Sequence, residues 1–119
     1  MARFLISRPA QADLTQILAS SAERWGIEAR RRRYAALLAA AMRRVAAEAE
    51  GPTTKNRSEI ARGIRSFHLR HARVNKVEAK MRRPVHVLYY RVVRSGLVEI
   101  VRVLHDRMEL SRYIDADSE

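Results

Sequence analysis

Residues 84–108 constrain this chain most. They hold two runs rich in Val, Ile, Leu and Tyr on either side of Arg94, Ser95 and Gly96. β-Branched and aromatic residues flanking a short glycine-containing connection specify an antiparallel hairpin. Side chains alternate faces along a strand, so Val85, Val87, Tyr89 and Val93 are expected on one side and Leu88, Tyr90 and Val92 on the other. The same rule groups Leu97, Val101 and Val103 against Val98, Ile100 and Leu104. Both faces are apolar, so both need cover, and the rest of the chain is read for what it can lay on each.

Its 119 residues suffice for one core, so a single domain over 1–119 is expected. With 47% hydrophobic and 31% charged residues the composition is globular. The lack of cysteine excludes disulfides and thiolate metal sites. The opening Phe4-Leu5-Ile6 is too short for a signal-peptide apolar region, and no run of about 18 apolar residues occurs; a cytoplasmic protein without membrane contact is expected. The formal charge of +11, carried almost wholly by arginine, favours an acidic partner.

In chain order, 2–7 reads as a strand. Ser7 is placed as an N-cap with Pro9 in the first turn, and Ala10, Leu14, Ile17 and Leu18 recur at helical spacing, giving a helix over 8–25. Gly26 supplies the stop, with Trp25 as anchor of the turn. A second helix over 27–50 carries the stripe Tyr34, Leu37, Leu38, Ala41 and Val45. Its four successive arginines, Arg30 to Arg33, sweep about 300° of the helix and so read as a solvated face. Residues 51–61 are polar and read as a loop, 63–71 as a strand, and 72–83 as a basic stretch with a short helix near 77–81. The hairpin strands are 84–93 and 97–105, followed by a short helix at 109–114 and an acidic tail at 115–119. The fold class is therefore α+β: β-α-α-β-β-β, an antiparallel sheet packed on an N-terminal αα-hairpin that covers one face and leaves the other bare.

Four histidines raise the question of metal, but His68 and His71, three apart on a strand, should face opposite sides, and no carboxylate in that strand joins them. No metal, cofactor or small-molecule substrate is expected. Metal-free RNA cleavage would need a base, a cation and an acid; Arg65, Arg102, His105, Arg107 and Tyr113 could supply them only if the sheet brings them together.

Several local patterns carry a resemblance: Ala12-Asp13-Leu14 with Ile17, Trp25-Gly26, Gly63-Ile64-Arg65-Ser66, Tyr90-Arg91, and above all Ile100-Val101-Arg102-Val103-Leu104-His105-Asp106-Arg107-Met108. Over nearly its whole length the chain resembles the ParE branch of the RelE/ParE superfamily, toxins of type II toxin-antitoxin (plasmid stabilisation) systems. Two departures are the longer segment from Ala72 to Arg83 and Glu109, where an aspartate is common. The resemblance implies a RelE/ParE-like fold and a non-catalytic inhibitor of DNA gyrase. It also implies neutralisation by a ParD-like antitoxin, through which operator DNA is bound indirectly. Arg102, His105, Arg107 and Met108 would then face the target, and Val87, Tyr89, Tyr90, Arg91, Trp25 and Tyr34 the antitoxin. The competing class on the same fold is the RelE-type ribosome-dependent mRNA interferase, which would use Arg65, Arg102, His105, Arg107 and Tyr113.

Overall fold

A computed structural model describes residues 2–25, 28–72, 84–108 and 112–114, with side chains at all of these except 21–25 and 28–30. Strand β1 (Arg3–Ile6) leads into helix α1 (Arg8–Trp25) and then α2 (Glu28–Ala47). Strands β2 (Thr54–Asn56) and β3 (Arg65–His68) follow, then a 3₁₀ turn (Leu69–Ala72) and the hairpin of β4 (His86–Arg94) and β5 (Leu97–His105). The expected order β-α-α-β-β-β is present, with one short edge strand added. Gly26, the helix expected near 77–81, Glu109 and the tail at 115–119 lie outside the described residues, as does the side chain of Trp25.

Among the described residues the sheet runs β1-β5-β4-β3-β2. The hairpin is central, as its two apolar faces require. β1 is parallel to β5, pairing Phe4 with Val98 and Ile6 with Ile100, so the sheet is mixed rather than wholly antiparallel. The reading of 51–61 as loop also needs correction. Thr54 Oγ1 donates to Gly51 O at 2.7 Å, and the residues after it extend to pair antiparallel with β3.

Ser7 caps α1 as its position suggests. Its Oγ accepts the Ala10 N–H at 3.2 Å, and its carbonyl takes the Gln11 N–H at 2.9 Å. α2 ends at Ala47, short of residue 50, and the Ala49 carbonyl beyond it accepts from Arg65 Nε at 3.0 Å and from the Tyr90 hydroxyl. The helices cover one face of the sheet: Leu37, Leu38, Ala41 and Val45 pack on Phe67, Leu88, Tyr90, Val98, Ile100 and Val103. These side chains are almost fully shielded from water, and burying each large one contributes about 1.5 to 3 kcal/mol.

The alternation expected in the last strand fails halfway along it. Tyr89 is opposite Arg102 but Tyr90 is opposite Ile100, leaving Val101 as an extra residue. This β-bulge reverses which face each later residue takes. Val103 therefore joins Val98 and Ile100 under the helices, while Leu104 turns to the other side.

That other side is not bare. Val87, Tyr89 and Leu104 are buried against Ala61, Ile64 and Ile114, with Ile60 packed beside them. Residues 57–64 form a compact turn, closed by Arg57 N–H to Ile64 O at 2.8 Å and Ile64 N–H to Ala61 O at 3.1 Å. Its polar composition hides three apolar side chains that the hairpin needs. Among the described residues, the far end of this face stays open, where Leu5 is 52% and Val93 51% exposed.

Candidate functional site

β3 and β5 flank β4, so their last residues, His68 and His105, stand on either side of its start: His68 is registered with Val87 and His105 with His86. After each histidine the chain turns in the same way. Arg70 N–H donates to His68 Nδ1 at 3.1 Å, and Arg107 N–H donates to His105 Nδ1 at 3.1 Å. An imidazole that accepts at Nδ1 carries its proton on Nε2, and His68 Nε2 is 3.0 Å from Asp106 Oδ2. Asp106 lies in the turn after β5, so this one hydrogen bond from His68 ties the two turns together. The hydrogen bond from His68 holds the Asp106 pKa below its ordinary value.

Behind this pair lies His86, whose Nδ1 meets the Tyr34 hydroxyl. The His86 ring stands edge-on to Tyr34 at 5.5 Å and to His105 at 5.9 Å between centroids. Burial first, then the neighbouring His105, pull the His86 pKa down to about 4. Burial pushes the Tyr34 hydroxyl upward. At neutral pH Tyr34 therefore remains a donor and His86 a neutral acceptor.

On the α1 side, β1 leaves β5 after Ile100, and side chains take over the strand edge. The Ser7 hydroxyl donates to Val101 O at 2.8 Å, and Asp13 Oδ2 accepts the Val103 N–H at 3.0 Å. Arg102 clamps Asp13 through Nε and Nη2, each at 2.8 Å, and through Nη1 donates to Tyr113 O at 2.8 Å. This bidentate pair secures α1 and the 112–114 segment to the sheet.

Between α1 and the strand ends opens a groove of ≈ 1130 Å³, walled by Gln16 and Ser20 on one side and by Arg70, His105, Arg107 and Tyr113 on the other. Of the residues read from sequence as target-facing, Arg102, His105, Arg107 and Met108 all line it. Arg107 and Met108 are exposed, His105 half-buried, and Arg102 committed to Asp13. Arg65 is elsewhere, donating to Ala49 O and, at 2.8 Å, to Thr54 Oγ1. It braces the end of α2 against β2, so the five residues proposed for RNA cleavage do not share one site.

The residues expected to meet an antitoxin are mostly interior. Tyr34, Val87, Tyr89 and Tyr90 are buried, the first and last under the helices and the middle two under Ile64 and Ile114. Arg91 alone among those described reaches the surface, paired with Glu99 at 2.8 Å. Sequence reasoning also placed His68 and His71 on opposite faces. The strand ends at His68 and turns into 3₁₀ geometry, so both line the groove. His68, Arg70, His86 and Asp106 are groove residues that the sequence reading did not select. The signal was present: His-x-Arg occurs three times, at His68-Leu69-Arg70, His71-Ala72-Arg73 and His105-Asp106-Arg107, and the first and last of these follow β3 and β5. Among the described residues no group of three His, Asp or Glu could hold a metal ion.

Comparison with known proteins adds an independent line. A family model described as the ParE toxin of the type II toxin-antitoxin system parDE matches residues 4–110. The protein called Toxin ParE1, from two strains of Mycobacterium tuberculosis, is 33% identical over 110 residues, covering 92% of this chain and 95% of the relative.

Proposed function

The chain belongs to the ParE toxin family of type II toxin-antitoxin systems, and on that ground we propose that it acts by binding and inhibiting DNA gyrase, catalysing no reaction itself. The observation that carries this reading is the turn after β5. Arg107 and Met108 stand exposed in it, while His105 and Asp106 pin its backbone to the sheet. A charged and an apolar side chain held on a rigid support suit recognition of a protein partner. RNA cleavage is less well supported, because Arg65 and Arg102 are both engaged in bracing the fold.

Neutralisation by a ParD-like antitoxin fits the open end of the second face. Leu5 and Val93 are exposed there beside Arg3 and Arg91, and β1 is a sheet edge. An acidic, amphipathic segment could satisfy all three features, adding a strand while its apolar side covers Leu5. Gyrase as target implies action in the cytoplasm, and DNA contact in the regulatory complex is assigned to the antitoxin.

Induced expression in bacteria separates the two modes of toxicity. The expected result is a rising DNA-damage response with translated messages intact. Message cleavage on ribosomes without DNA damage would overturn the proposal in favour of an interferase.

A further inference from the structure

The paired His-x-Arg turns leave a charge imbalance that the fold does not need. Asp106 is engaged by His68, and Asp13 by Arg102. The Arg107 guanidinium makes no hydrogen bond or ion pair among the described residues, and the exposed Arg70 meets only the His71 ring, at 3.3 Å. Both guanidiniums flank the same groove, and the imidazoles of His71 and His105 line it too. Tyr113 adds a 38% exposed aromatic ring to the same wall, steadied by the Arg102 guanidinium 5.6 Å from its centroid.

We propose that this groove is a binding site for single-stranded nucleic acid, with Arg70 and Arg107 taking backbone phosphates and Tyr113 stacking on a base. Guanidinium groups match phosphate oxygens in geometry and charge, and a cationic groove with an aromatic platform is the physical requirement for sequence-tolerant single-strand binding. An acidic peptide would use the cations but has no planar base to lay on Tyr113. Hydrogen bonds from their backbone N–H groups to His68 and His105 fix the main chain of both arginines, so the ordering cost of binding phosphate falls on their side chains.

Fluorescence anisotropy of a labelled oligothymidylate of about 12 nucleotides, titrated with the full chain at several salt concentrations, tests this. It contains no gyrase, so its outcome is independent of the inhibitor reading. Saturable binding is expected. Arg70→Ala and Arg107→Ala should each weaken it severalfold and reduce the salt slope by about one, Tyr113→Ala should weaken it without changing the slope, and Arg107→Lys should recover most of the affinity. Arg94→Ala, at the opposite end of β4 and about 26 Å from His86, should bind like the parent. Absence of binding would overturn the proposal. So would equal loss in Arg94→Ala, which indicates diffuse attraction by net charge. Displacement by polyglutamate as effective as by unlabelled oligonucleotide would reassign the groove to acidic protein segments. Matching melting temperatures across the variants guard against loss through misfolding.

Discussion

His86 is a histidine held by burial well below its ordinary pKa, and stability should follow its titration. Its folded pKa of about 4 lies below the ordinary 6.5, so the unfolded chain binds the proton first. The stabilisation is complete above about pH 6.5 and is lost as pH falls toward 4. Melting temperature measured across that window should fall on acidification, and His86→Gln should flatten the fall. His71, lowered by burial and by Arg70, contributes with the same sign. A wild-type curve flat between pH 6.5 and 4 would contradict the buried neutral imidazole. At the other side of the groove Asp13 accepts the Val103 N–H and both arms of Arg102. Asp13→Ala strands these donors and should cost about 1 to 3 kcal/mol in denaturant unfolding. Combined with Arg102→Ala, the two losses should add to clearly less than their sum.

Elements show where local pattern suffices and where it does not. Gly63 closes the turn that covers the second face with φ +78°, and nothing lies within 4 Å of where a Cβ would stand. Gly63→Ala should therefore cost about 1 kcal/mol through backbone conformation alone, read as a lower denaturation midpoint with unchanged slope. Gly96, at φ +78° in the hairpin connection, has the same need, and there the sequence signal was plain. Both long helices, the Ser7 cap and the central hairpin were equally legible, since each rests on spacing within one segment. The bulge at Val101 was not: β-branched residues run on through it, and only the pairing with Tyr89 and Tyr90 reveals the extra residue. Deleting Val101 should remove the bulge while leaving Val103 under the helices and Leu104 on the other side, so cooperative unfolding should survive; its loss would contradict Val101 as the extra residue. The cover supplied by Ile60, Ala61 and Ile64 escaped notice because polar neighbours set the composition of that stretch. His68 and Asp106 could not be joined from sequence, since their contact depends on two strand ends lying on either side of β4.

At the scale of the whole molecule, the sheet is sealed by helices on one face and by the 57–64 turn with Ile114 on much of the other. Among the described residues, the end around Leu5 and Val93 stays open, and separately the turn bearing Arg107 and Met108. On the proposed function these two regions serve different partners, the antitoxin and the target. Addition of a ParD-like antitoxin should slow amide exchange along Arg3–Ile6 and leave Val87 to Tyr90, already paired on both sides, unchanged; the reverse pattern would place the antitoxin elsewhere. The target-facing turn is tested most directly with purified gyrase, ATP and supercoiled plasmid. The wild-type chain should accumulate linear DNA from trapped cleavage complexes, and the Arg107→Ala, Met108→Ala double variant, melting at the same temperature, should not. No linear DNA with the wild type, or equal amounts with the variant, would contradict the account.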